Sequence, residues 1–239
     1  MPKENELRKL LQAIAEKQPT QLQKSAKEDV AHILEKGVKS FDEMIALLNE
    51  ASATAETRSR IFWVLGQIKG RKSLSALMDS FEREGDEKAI WEIAKSLSLL
   101  ETKVPVQPLC STVISGQPAS RRAAAAYVLG RLRDRAVTDC LIHVLCNLGE
   151  EEIVRSHSAE ALGALKDGKA FEFLLRNLSD TSVSVRFWTA FALGELGDQR
   201  AVPSLKTLSE TDNSILEGWW AIKKEALDAI HKITKSVEC

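Results

Sequence analysis

The chain has 239 residues, a formal net charge of −1, 44% hydrophobic residues and 5% aromatic residues. That length allows one or two domains, and the hydrophobic share is enough for a continuous core. The near-neutral balance speaks against a nucleic-acid binder with a strong basic stripe, and no apolar run approaches the ~18 residues of a membrane span.

In chain order, a charged helix over 3–17 is predicted first, as a front cap and not a signal peptide. Helical hairpins follow at about 25–50, 54–84, 86–116, 118–149, 151–179 and 182–210. A helix over 215–235 closes the back, after the loop Thr211-Asp212-Asn213-Ser214. The hairpins are read from a repeat. Leu65-Gly66 recurs as Leu97-Ser98, Leu129-Gly130, Leu162-Gly163 and Leu193-Gly194, with steps of 32, 32, 33 and 31 residues between the glycine-slot positions. A fixed period of this size marks a repeat array, whose units bury their apolar faces by stacking.

Other positions keep register with the slot. Eleven residues later stand Leu77, Leu109, Leu141, Leu174 and Leu205, and four earlier stand Phe62, Ala94, Ala126, Ala159 and Ala190. Small or apolar residues at minus four, minus one and plus two share one face of a 3.6-residue helix. Glycine costs a helix ~1 kcal/mol relative to alanine, so its recurrence implies a close helix–helix approach. Eight residues before the slot stand Arg58, Arg122, Arg155 and Arg186, with Ile90 breaking the series. Asp134, Asp167 and Asp198, four after it, are placed to cap a second helix. Degenerate copies put Leu34 in the slot with Ile45 eleven on, and Asp228 behind Ala226-Leu227. Strand signals are absent. The expectation is all-α: a right-handed α-solenoid of about six hairpins with capping helices, forming one elongated domain over 1–239.

Val185-Arg186 through Ala192-Leu193-Gly194-Glu195-Leu196-Gly197-Asp198 and Ala201-Val202-Pro203-Ser204-Leu205 closely resembles the HEAT-like repeat of phycobilisome bilin lyases. The segments from Arg155 to Asp167 and from Arg122 to Asp134 resemble it too. The resemblance covers roughly residues 54–210 and implies the repeat fold. Many unrelated scaffolds share the repeat, so it does not by itself imply lyase activity.

Chemistry is harder to find. HEAT-repeat hydroxylases that carry a di-iron centre use His-Glu pairs. None of His32, His143, His157 and His231 is followed by glutamate, which argues against that class. Phosphate-loop, dinucleotide and nucleophile-elbow fingerprints are missing. Cys110, Cys140, Cys146 and Cys239 fit no zinc spacing and read as buried reduced thiols, consistent with the cytoplasm. Arg121, Arg122, Arg131, Arg133 and Arg135 form the one basic cluster, read as a solvated and partly paired face.

Adjacent second helices bring Asp139, His143, Glu172 and Arg176 together, with Phe173 alongside. They form a candidate mixed-charge binding patch on the concave face, against the plainer reading of a solvated helix face. Trp63, Trp91, Tyr127, Phe187 and Phe191 are expected to pack between repeats. Of Trp219 and Trp220, one is expected to seal the last repeat and the other to be exposed. The leading expectation is a non-catalytic scaffold that binds another protein, with no cofactor and no metal. The alternative is a bilin lyase or phycobiliprotein chaperone, working with a related HEAT-repeat chain or a phycobiliprotein subunit. In that case Arg176 or His143 would meet bilin propionates, and Asp139 or Glu172 the pyrrole N–H groups.

Overall fold

The computed structural model describes residues 38–68, 70–100 and 103–235. The predicted front helix 3–17, Leu34, His32, the run Lys17 to Lys27 and Cys239 lie outside the described residues. The described residues form α-helices and short 3₁₀ turns, with one isolated bridge between Ile215 and Ala221 and no sheet. The all-α repeat fold expected from the period is therefore what the chain adopts.

The chain divides into two compact units, Met1–Val104 and Pro105–Cys239. In the first unit the described helices are α1 (Val38–Leu48), α2 (Ala55–Ile68), α3 (Gly70–Arg83) and α4 (Glu87–Leu99). Here α2 packs against α4, with α3 beside both. Asp86 starts α4 by accepting a hydrogen bond from the Ala89 N–H at 3.0 Å, which satisfies one of the free donors of a helix start. Ile45, expected in the core, is half-buried. Its neighbours Met44 and Leu47 are the buried ones, so the degenerate first copy differs in register.

The second unit holds α5 (Val106–Ser115), α6 (Ala119–Leu132), α7 (Thr138–Cys146), α8 (Glu152–Leu165), α9 (Phe171–Asn177), α10 (Val183–Leu196), α11 (Val202–Thr211) and α12 (Ile222–Lys235). Two layers result. One is the row α6, α8, α10, α12; in the other, α5 packs on α7 and α7 on α9, with α11 beside α12. The recurrent leucines Leu77, Leu109, Leu141, Leu174 and Leu205 are all fully buried within their units.

The glycine slots are where first helices touch. A Cβ on Gly130 would stand 2.7 Å from the Cα of Ala161, and one on Gly163 2.7 Å from the Cα of Ala192. On Gly194 it would meet Ala229 Cα at 2.9 Å, and on Gly66 the Ser96 Cβ at 2.8 Å. These contacts leave no space for a side chain at the four glycines; Ser98 is the slot residue that departs from them.

Three residues past the slot the backbone turns left-handed. Arg133 (φ 54°), Lys166 (φ 51°) and Gly197 (φ 76°) occupy equivalent positions that stop α6, α8 and α10. The aspartate that follows each stop accepts from a backbone N–H two residues on: Asp134 from Ala136 (3.0 Å), Asp167 from Lys169 (3.1 Å), Asp198 from Arg200 (2.9 Å). The capping expected from sequence is thus made at a 3₁₀ turn that leads into each second helix.

The arginine slot also has a use. Arg58 reaches Glu84, Arg122 reaches Glu150, Arg155 reaches Asp180 and Arg186 reaches Asp212, each an acid just past the second helix of the same hairpin. The basic cluster accordingly disperses: Arg122 is buried in its pair, and Arg135 donates to the carbonyls of Leu165 and Lys166.

The C-terminal end departs from expectation. The last helix begins at Ile222, and residues 215–221 form a loop clipped by the Ile215–Ala221 bridge. Leu227 is 49% exposed and Asp228 is exposed, so Asp228 does not occupy a buried slot; α12 meets Gly194 through Ala229 instead. The thiols differ too, with Cys110 buried, Cys140 half-buried and Cys146 exposed.

Candidate functional site

Asp139, His143, Glu172 and Arg176 are exposed and Phe173 is half-buried, on the neighbouring helices α7 and α9. The acids do not bond to the other members of the patch. Asp139 pairs with Lys169 at 3.3 Å, and Glu172 lies 3.7 Å from Arg200, whose guanidinium also sits 4.0 Å over the Phe171 ring. Exposed pairs of this kind contribute little each.

A hollow of about 580 Å³ in the first unit is bordered by Arg58, Phe62, Arg83 and Glu84. Its most buried charge is already satisfied. Glu84 accepts from Arg58 at 2.7 and 2.8 Å and from the Gly85 and Asp86 N–H groups at 2.9 and 3.0 Å.

The second unit carries a more specific cavity, of about 380 Å³, between α10, α12 and the loop that joins α11 to α12. Phe187, Trp188 and Phe191 come from α10, and Trp219 and Trp220 from the loop. The rings form one cluster: Trp188 and Trp219 are 5.0 Å apart at 78°, Trp219 and Trp220 5.4 Å at 71°, and Trp188 and Phe191 5.4 Å at 79°. Edge-to-face packing of this kind is the favoured aromatic geometry. Both loop tryptophans remain open to solvent, at 48% and 38% exposure, whereas one was expected to be sealed.

Three carboxylates border the same cavity: Glu160, Glu225 and Asp228, against one lysine, Lys232. Glu160 is held by His157 Nδ1 at 2.9 Å, and Asp228 by Lys224 at 3.0 Å. Glu225 is 5% exposed, and its carboxylate accepts from the Trp220 indole N–H at 2.8 Å. Burial pushes its pKa above the ordinary glutamate value; the indole hydrogen bond pulls down, and the charge of Asp228 adds to the rise. Of these groups, Phe187, Phe191, Trp219 and Trp220 were noticed in the sequence and Asp228 was assigned to a slot, but Trp188 and Glu225 were not singled out. No periodic signal marks Glu225, because it follows the loop that ends the hairpin repeat.

No group of three or more His, Cys, Asp or Glu side chains that could hold a metal ion occurs among the described residues. With no His-Glu pair in the sequence, the residues present do not fit a di-iron centre of the His-Glu kind, and no step is derived through one. No helix among the described residues is long and apolar enough to cross a membrane.

Stacked helical hairpins with left-handed stops and close first-helix contacts define a helical-repeat protein. HEAT repeats are found in it, matching residues 106–186 and 148–223. The fold is shared with the Escherichia coli protein YibA, at a TM-score of 0.51 and 15% identity over 97% of this chain and 95% of that one.

Among curated relatives, deoxyhypusine hydroxylase-B of Oryza sativa subsp. japonica is 36% identical over 80 residues, which is 34% of this chain and 26% of the relative. Deoxyhypusine hydroxylase of Gallus gallus is 40% identical over 60 residues, 25% of this chain and 20% of the relative. The matched stretch thus spans a fifth to a quarter of the relatives' length. Relatives named as enzymes overturn the expectation of a non-catalytic scaffold, and the bilin-lyase alternative is not the reading they support. The missing His-Glu pairs argued against the hydroxylase class, whereas the likeness to hydroxylases is confined to the matched stretch.

Proposed function

We propose that the chain is an enzyme of the HEAT-repeat hydroxylase kind, acting on a lysine-derived, amine-bearing side chain of a protein. The observation that carries this reading is the 36–40% identity to deoxyhypusine hydroxylases over 60–80 residues. The acidic and aromatic cavity of the second unit supports it, because both kinds of group attract a cationic amine. The chain's own residues would bind and orient that amine. The ligands for a metal oxidant are not assembled by the described residues. A cytoplasmic setting fits the free thiols of Cys110, Cys140 and Cys146.

The test is direct. Purified protein is incubated with a deoxyhypusine-bearing substrate protein, dioxygen, ferrous iron and a reductant, and the substrate side chain is followed by mass spectrometry. Gain of one oxygen atom supports the reading; a side chain left unchanged at high enzyme concentration overturns it.

A further inference from the structure

We propose that the aromatic cavity between α10, α12 and the loop at 215–221 is a binding site for an alkylammonium group. The inference rests on the enzymatic reading only for where that ammonium comes from.

The argument begins with the rings. Trp188, Phe191, Trp219 and Trp220 line the cavity and meet one another at steep angles, so their faces turn in different directions. An aromatic face carries the negative part of the ring quadrupole and attracts a cation within about 6 Å of its centre. The protein already displays this attraction at the rim. Lys224 Nζ stands 4.0 Å from the centre of the Trp220 ring, and Lys232 Nζ 5.5 Å from that of Phe191.

Charge selects the same ligand. Lysines at the rim are committed elsewhere, Lys224 to Asp228 and Lys232 to Glu195. Glu225 is the buried carboxylate of the cavity, and its hydrogen bond comes from a neutral indole. Lys224 and Lys232 act on Glu225 without an ion pair to it, and a buried carboxylate with no directly paired cation is costly. An incoming ammonium supplies the counter-charge, and its alkyl groups lie against the rings. A seal for the end of the repeats would need neither feature. It would bury its tryptophans, here 48% and 38% exposed, and would place an apolar residue where Glu225 stands.

The test uses nuclear magnetic resonance of the full chain with labelled tryptophan. The indole N–H signals of Trp188, Trp219 and Trp220 report on the cavity, and those of Trp63 and Trp91 serve as internal controls. Tetramethylammonium chloride is titrated at constant ionic strength, beside neopentyl alcohol as a neutral group of similar shape. The expected result is a saturable shift of the three cavity signals with the cation and little with the alcohol. Glu225→Gln should weaken the cation about tenfold, the scale of one lost charge contact. Equal response to the alcohol, or undiminished cation binding by Glu225→Gln, overturns the proposal. A deoxyhypusine-bearing peptide and free spermidine then compare two sources of the ammonium, a protein side chain and a free polyamine: tighter binding of either assigns the source and keeps the site, and failure of both overturns it. Cation binding can persist when hydroxylation is absent, so this proposal and the enzymatic reading fail separately.

Discussion

Arg155 and Asp180 form the most enclosed of the four ion pairs that tie the end of a second helix to its own first helix. Their side chains are 5% and 3% exposed. Arg155 also donates from Nε to the Leu145 carbonyl at 3.0 Å and from Nη2 to Asn177 Oδ1 at 3.2 Å. Removing one member strands a buried charge. Arg155→Ala should therefore destabilise the protein by about 3–5 kcal/mol, the cost typical of breaking a buried pair. Urea unfolding measures it, and a change below that of an exposed pair such as Lys169–Asp139 would contradict the assignment.

Gly163 makes a sharper case. The close helix approach read from the sequence implies that leucine here is worse for folding than alanine. The 2.7 Å approach of a Cβ to Ala192 Cα means that even alanine must push α10 away from α8. Gly163→Ala should lose stability despite the ~1 kcal/mol helix advantage of alanine. Gly163→Leu should lose more, with overpacking of about 1–3 kcal/mol or beyond. A thermal melt in which alanine stabilises would show that the helices are further apart.

Acid should weaken the same framework. Burial opposes ionisation of Asp212, but hydrogen bonds from Arg186 and Ser214 outweigh it and hold the pKa below the ordinary aspartate value. Glu84 is likewise held below the glutamate value, with burial opposed by Arg58 and the Asp86 and Gly85 N–H groups. A depressed folded pKa gives stability that is present above the unfolded value and lost as pH falls through the folded one. Stability should hold near neutrality and decline below about pH 4. Asp212→Asn should lower it at pH 7 and flatten the acid decline; an unchanged slope in a pH series of melts would contradict this.

Glu225 has the opposite sign. Its raised pKa means that folding favours the neutral acid, so its contribution is present below the ordinary value of about 4.3 and lost as pH rises through the folded one. Asp228 strengthens the rise, while Lys224 and Lys232 oppose it. Glu225→Gln should therefore melt higher than the wild type at pH 7, with the gap closing toward pH 4. A variant that melts lower at pH 7 would mean that the carboxylate is a structural partner.

What recurs was legible and what does not was hidden. Gly163, Leu174, Arg155 and Asp167 each repeat at one offset because each meets an equivalent neighbour in the hairpins that carry it. The acids that receive the arginines escaped because the separation varies from 25 to 28 residues and the residue is Glu in two hairpins and Asp in the other two. The last copy was misaligned at Asp228 because α12 follows a loop and not a hairpin turn. Glu225 belongs to that non-repeating end, and Trp188, although on the repeating helix α10, has no aromatic counterpart at Arg60, Glu92, Ala124 or His157, so periodicity marked neither. The mixed-charge patch lies on the neighbouring helices α7 and α9, but its ion pairs run to Lys169 and Arg200, in the turns before the second helices, where the repeat offsets gave no signal.

The central claim is that this repeat protein holds an amine-bearing side chain in its aromatic, acidic cavity. The most direct measurement is calorimetric binding of three peptides that differ in one side chain: deoxyhypusine, lysine and the uncharged norleucine. The account predicts that the deoxyhypusine peptide binds tightest, norleucine weakest, and that Glu225→Gln narrows the difference about tenfold. Equal binding of all three, or a preference for deoxyhypusine that survives Glu225→Gln together with Trp219→Ala, would contradict it.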